Sequence, residues 1–283
     1  MTKTRVLAAL VMAPAAITAV LLLPTAWLML LSALLCLLAL WEWLKLVNIE
    51  DTLARTVLLA CNLALMVALV WASRSSRTSA LPLFELTAML GVIWWLLSLL
   101  WMLHYDFASR AGSQARVFKL VAATAAVVPA WCALALIHAG TPHGHAWLLL
   151  ALLLVWAADS GAYFAGRRFS GQWFGGRKLA PRISPNKSLE GLVGGLVLAA
   201  LVAVAGALLL EVPTRKLAGV ILIAMVTVLF SVAGDLFESL LKRHAGVKDS
   251  GTLIPGHGGI LDRVDSLLAA LPVFAVGKAW LGF

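Results

Sequence analysis

The sequence predicts an all-α protein, a polytopic helical bundle that crosses a membrane about nine times with its N-terminus in the cytoplasm. Three observations predict it. Of the 283 residues, 62% are hydrophobic and 12% charged, with a mean hydropathy of +0.97; soluble domains average about 45–50% apolar and about 25% charged. The apolar residues gather in runs of about 20, the length of helix needed to cross a hydrocarbon core about 30 Å thick. The Lys and Arg between the runs alternate between crowded and sparse segments. Disorder, a collagen-like repeat and a disulfide-stapled secreted scaffold are excluded by the same figures.

The runs fall near residues 6–23, 26–43, 56–72, 86–103, 120–137, 146–164, 192–210, 217–233 and 260–280. The first has Lys3 and Arg5 before it, as a signal peptide would. It continues straight into a second apolar run, so we read it as a retained span. Pro24-Thr25 leaves room only for a tight helical hairpin. With the N-terminus inside, 17 of the 22 basic residues fall in cytoplasmic segments. That is a strong positive-inside bias, which a shift of one span would destroy. Trp27, Trp41, Trp43, Trp71, Trp147 and Trp280 lie near span ends, as an interfacial belt requires. The chain has no fixed-period repeat and reads as one integral membrane domain, 1–283. It comprises N-terminal spans (1–140) and a catalytic set (146–283) carrying two cytoplasmic loops, 166–188 and 235–260.

The net charge of +9 therefore reflects topology and attraction to anionic lipid or phosphate, and no nucleic-acid partner is expected. Cys36, Cys61 and Cys132 sit inside apolar runs without CxxC spacing and read as small core hydrophobes. His143 and His145 fall in an outside loop as ordinary polar residues.

The acids carry the chemistry. Of thirteen, Asp235, Glu238, Asp249, Asp262 and Asp265 lie within 31 residues, and Asp159 closes the sixth span. Carboxylates at membrane depth are costly and usually face a partner or a wet cavity. Positions 235, 238, 239 and 242 are three or four apart and share one helical face, which alone describes an ordinary solvated helix end. The next segment is less ordinary. Lys248-Asp249-Ser250-Gly251 leads into Pro255-Gly256-His257-Gly258-Gly259, and then Asp262, Arg263 and Asp265 open the last helix. Glycines admit a close backbone approach, and a helix N-terminus favours anions. Acids facing each other from two helices, with Lys and Arg around them, suit a hard divalent cation holding phosphates. From Arg167 to Ser188 six basic residues occur without an acid. That loop serves equally as a lipid-facing anchor or a phosphate clamp. It ends in Ser184-Pro185-Asn186-Lys187-Ser188, where Pro185 is expected at the first position of the seventh helix.

These residues resemble the phosphatidate cytidylyltransferase (CDP-diacylglycerol synthase) family, bacterial type. Its signature runs Ser, two residues, Lys-Arg, four residues, Lys-Asp, a short spacer to His-Gly-Gly, then Asp-Arg-x-Asp. Ser239, Lys242, Arg243, Lys248, Asp249, His257, Gly258, Gly259, Asp262, Arg263 and Asp265 match it. The likeness extends to Asp159-Ser160-Gly161 and to Ser184–Ser188, and departs at Leu189, where members commonly carry an aromatic residue.

The resemblance implies transfer of the cytidylyl group of CTP to phosphatidate, with magnesium as cofactor and a second cation left open. A bacterial inner membrane is the expected location, and a homodimer is left open. The charge count puts the site on the cytoplasmic face, where CTP is found. Asp235 and Asp262 are then the expected metal ligands, with Asp265, Glu238 and Asp249 as supporting or alternative ones. Lys242, Arg263 and His257 join Asp235 and Asp262 as catalytic groups. Lys187, Ser188, Asn186, Arg243, Lys248, Asp159, Gly258 and Gly259 are expected to bind substrate. A CTP-dependent polyprenol or phytol kinase shares the later motifs but needs a base for a lipid alcohol, and the complete signature argues against it. The Asp-Gly…Ala-Arg spacing of CDP-alcohol phosphotransferases is missing. An anion transporter would show paired repeats and midplane charges, which this chain lacks.

Overall fold

Helix-forming apolar runs separated by Gly, Pro and charged residues give nine helices among the described residues, which in the computed structural model are 2–75, 81–109, 112–254 and 258–282. They are α1 (Thr2–Leu22), α2 (Thr25–Leu46), α3 (Thr52–Ser75), α4 (Leu81–Leu103), α5 (Ser113–Ala139), α6 (Gly144–Phe169), α7 (Leu189–Leu209), α8 (Thr214–His244) and α9 (Leu261–Trp280). Seven of these, α2 to α8, are long and apolar enough to cross a membrane. A bilayer leaves backbone groups no water to bond, so the helix, which satisfies them internally, is the form these runs must take. At 31 residues α8 is about 46 Å long, longer than the hydrocarbon core, so its charged end projects beyond it.

The segment between α6 and α7 corrects one expectation. Ser184–Ser188 is not a helix start but strand β2, paired antiparallel with β1 (Lys178–Ala180). Pro185 therefore lies in an extended strand, and the helix begins one turn later. There Ser188 caps it, its Oγ accepting from Gly191 N at 3.1 Å, which satisfies one of the amides a helix N-terminus leaves free.

Small residues set the closest packing. Along α6 and α7, a Cβ on Gly194 would stand 2.2 Å from Ala165 Cβ, and one on Gly195 2.8 Å from Ala158 O. Helices in lipid gain little from the hydrophobic effect and associate through such close backbone approach. Between α8 and α9 the corresponding residue is Gly234, whose Cβ would fall 2.5 Å from Asp265 O.

Phe237, fully buried, locks the back of α8. Its ring meets Trp43, Trp94, Trp95 and Trp101 at centroid distances of 6.1, 5.8, 5.9 and 5.3 Å. Trp43 donates to Lys119 O and Trp95 to Leu268 O, at 3.1 and 3.0 Å. Trp43 and Trp147 are thus core residues and not part of an interfacial belt, whereas Trp27, Trp71 and Trp280 are exposed as expected. His145 belongs to the first turn of α6, not to a loop. Its ring stacks on His138 with centroids 3.8 Å apart, and His138 ties back to Thr25 and to Val20 O. Cys132 is buried, but Cys61 is exposed on α3 and is not a core residue.

Candidate active site

Three features of the fold converge at one end of the bundle: the α6–α7 seam, the last turns of α8, and the loop that returns into α9. The seam brings Asp159 on α6 close to Asn186, Lys187 and Ser188. With Asp235 and the apolar Leu192, Val228 and Val232, these line a groove of about 240 Å³. Its lining combines these polar and charged groups with aliphatic side chains and glycines.

The i, i+3, i+4 spacing on α8 does present Asp235, Glu238, Ser239 and Lys242 together. Lys187 Nζ lies 2.6 Å from Asp235 Oδ2, and Ser239 Oγ donates to Asp235 Oδ1 at 3.4 Å. Lys242 bridges the two helices, touching the Glu238 carboxylate and donating to Asp262 Oδ1 at 2.7 Å. Asp262 Oδ2 receives two backbone donors, Ser250 N at 3.0 Å and Gly259 N at 2.8 Å, and lies 2.9 Å from Ser250 Oγ, whose one proton it shares with Glu42. Gly258 has φ +81°, and a Cβ there would stand 2.5 Å from Asp262 Oδ2. Only glycine serves at that turn. Asp265, buried, lies one turn further along α9 and accepts from Ser266 N at 2.7 Å. It shares the field of Asp235, Lys242 and Lys187, while Asp159 feels Asp235, Lys187 and Arg263.

Four carboxyl groups (Asp235, Glu238, Asp262, Asp265) thus stand with two ammonium groups (Lys187, Lys242). Glu238 is 2% exposed and its Oε1 has no partner. An excess of hard oxygen donors with an unpaired carboxylate oxygen fits a divalent cation such as Mg²⁺. Among the described residues no three acids or histidines close around one point as a ready cage. Mg²⁺ sites built on one or two carboxylates and completed by substrate phosphates do not need one.

The remaining expected residues divide. Asn186, Lys248, Asp249 and Arg263 are exposed around this centre. Arg243 is exposed and donates through Nε to Ile183 O at 3.2 Å, which pins the β1–β2 turn to α8. Gly259 lends its amide to Asp262. His257 lies outside the described residues.

Two buried acids escaped the sequence reading. Glu190, 0% exposed, accepts from Gly171 N at 3.0 Å and Phe174 N at 3.3 Å, holding the basic loop against α7. Glu42 on α2, also 0% exposed, accepts from Ser250 Oγ at 3.0 Å and Leu261 N at 2.8 Å. A lone Glu inside an apolar run, Trp41-Glu42-Trp43, was the available signal, because such a residue needs a partner.

Comparison with known proteins bears on the same centre. A family model described as the cytidylyltransferase family matches residues 3–279. A phosphatidate cytidylyltransferase of Haemophilus influenzae is 37% identical over 287 residues, covering 97% of this chain and 98% of that protein. One of Pseudomonas aeruginosa is 38% identical over 276 residues, covering 97% and 96%. One of Bacillus subtilis is 45% identical over 130 residues, 46% of either chain. With full-length matches of this kind, the chain belongs to the cytidylyltransferase family of bacterial integral membrane proteins.

Proposed function

We propose that this protein is a magnesium-dependent phosphatidate cytidylyltransferase whose centre is the Asp235–Lys242–Asp262 cluster between α8 and α9. Membership of the family and full-length likeness to two proteins of that name support the reaction. The observation that carries the site is that Asp235 and Lys187 of the charged cluster line a groove together with the apolar Leu192, Val228 and Val232. A lipid phosphate can meet a nucleotide there while its tails stay in hydrocarbon.

The phosphatidate phosphate is already a nucleophile, so the protein needs no base. One of its oxygens forms a bond to the α-phosphorus of CTP as the bond from that phosphorus to the β-phosphate oxygen breaks and pyrophosphate leaves. Two polyanions must therefore be brought together and charge offset as the leaving group develops, which is positioning and electrostatic work. Lys187, at the groove, draws in the lipid phosphate; Lys242 and Arg263 face the triphosphate. Asp262 is held by Lys242 and by the amides of Ser250 and Gly259, and Asp235 by Lys187 and Ser239. Asp235 and Asp262 would hold magnesium, which would supply charge neutralisation on the triphosphate. Glu238 keeps the Lys242 ammonium oriented, and Asp265 stands behind the pair as a further carboxyl group. The crowding of basic residues on the segments that border this centre supports its lying on the cytoplasmic side, where CTP is found.

The experiment is incorporation of labelled CTP into lipid by the purified protein with phosphatidate and magnesium. CDP-diacylglycerol and pyrophosphate in equal amounts are expected. No labelled lipid from the folded protein, with phosphorylation of a polyprenol or phytol when that alcohol is supplied instead, would overturn the reading.

A further inference from the structure

Glu42 is 208 residues from its partner Ser250 and lies on a helix that contributes nothing else to the charged cluster. Its carboxylate sits at the root of the loop between α8 and α9. Oε2 accepts from Ser250 Oγ at 3.0 Å and from Leu261 N at 2.8 Å. The loop is wrapped tightly about this head: a Cβ on Gly251 would stand 2.3 Å from Oε1, and one on Gly259 2.2 Å from Oε2. Leu261 N is one of the free amides at the start of α9, and Ile260 before it makes no side-chain cap. The buried carboxylate of Glu42 therefore does what a capping side chain does elsewhere. Ser250 links it onward, since the hydroxyl that reaches Glu42 also lies 2.9 Å from Asp262 Oδ2.

We propose that Glu42 is a positioning residue: acting through Ser250 and the first turn of α9, it sets the orientation of the Asp262 carboxylate. By holding Ser250 and Leu261 it aims the amides of Ser250 and Gly259 at Oδ2 and keeps the Ser250 hydroxyl between the two carboxylates. Oδ1 is left turned toward Lys242 and the nucleotide side. The inference rests on the reading of Asp262 as the carboxylate that serves the triphosphate. It also accounts for Gly251 and Gly259 as residues that must clear the Glu42 head, a reason separate from any approach to phosphate.

The test compares full-length wild type with Glu42→Ala, Glu42→Gln, Ser250→Ala and the Glu42→Ala/Ser250→Ala pair. Readouts are kcat and KM for CTP, thermal unfolding, and amide exchange without substrates. Glu42→Ala is expected to lower kcat about 10- to 100-fold with KM for CTP within about threefold, the pattern of a displaced catalytic group. Glu42→Gln, which keeps an oxygen for both donors, should retain activity within about threefold of wild type. Exchange at Ser250 and Gly259, neither of whose amides bonds to Glu42, should quicken about tenfold in Glu42→Ala. The double variant should be no worse than the worse single one, because both cut one linkage. Should Glu42→Ala fail to fold, Ser250→Ala carries the same expectations for kcat and for Gly259 exchange. Wild-type turnover in Glu42→Ala, equal damage from Glu42→Gln, unchanged exchange, or additive losses would each overturn the proposal. Exchange is read without turnover, so an inactive wild type would overturn the proposed function alone.

Discussion

Replacing Gly234 by Ala adds a single methyl group where α8 and α9 cross, one residue from Asp235. The new Cβ would lie 2.5 Å from the Asp265 carbonyl oxygen and 3.0 Å from Ala269 Cβ. A comfortable C···O contact is about 3.3 Å or more, so the helices must part by about 0.8 Å. The obstacle is backbone and cannot rotate away. Overpacking of this kind costs about 1–3 kcal/mol, and the better helix propensity of Ala returns up to about 1 kcal/mol. A net loss of about 0–2 kcal/mol leaves the protein folded. Its catalytic consequence is larger, because α9 carries Asp262 and Asp265 away from Asp235 and Lys242. A displacement near 1 Å costs about a hundredfold in rate. The assay is turnover per folded molecule beside a thermal unfolding curve. Gly206→Ala is the control: its Cβ would meet Leu150 Cδ1 at 2.5 Å, the end of a side chain that can turn aside. Its activity should stay within about threefold of wild type, since no catalytic group moves. Wild-type turnover in Gly234→Ala, or equal damage in Gly206→Ala, would refute the reasoning.

Other perturbations separate scaffold from site. Phe237→Ala removes the ring at the centre of four tryptophans and should cost about 3–5 kcal/mol of stability, read as a lowered unfolding midpoint. Glu190→Ala frees the amides of Gly171 and Phe174. Tryptic cleavage after Arg177 should then quicken about tenfold while the unfolding midpoint barely moves. Excess chelator should abolish turnover and added magnesium restore it. Activity persisting under chelation would remove the metal from the mechanism.

The parts of this architecture that are local in sequence could be read before the structure. Apolar runs gave the helices, and the three- and four-residue spacings of 235, 238, 242 and of 262, 265 put those side chains on single faces that do meet across α8 and α9. What could not be read depends on partners remote in the chain. Glu42 is one charge in an apolar run until the α8–α9 loop folds onto it, and Glu190 acquires its role only when the loop after α6 turns back to α7. Pro185 suggested a helix start because proline suits that position. Pairing of 184–188 with 178–180 overrides that preference and moves the cap to Ser188. Trp43 and Trp147 lie near span ends by number yet face inward, since a helix end packed against other helices is not an interface with lipid.

The central claim is that the Asp262 carboxylate, bridged to α8 by Lys242, is where the nucleotide phosphates are managed. Asp262→Asn tests it most directly. The substitution keeps the shape but turns an NH₂ donor toward either Lys242 or the two amides now satisfied at Oδ2. The expected result is a folded protein whose kcat for CDP-diacylglycerol formation is lower by at least about a hundredfold. Turnover within a few-fold of wild type would contradict it.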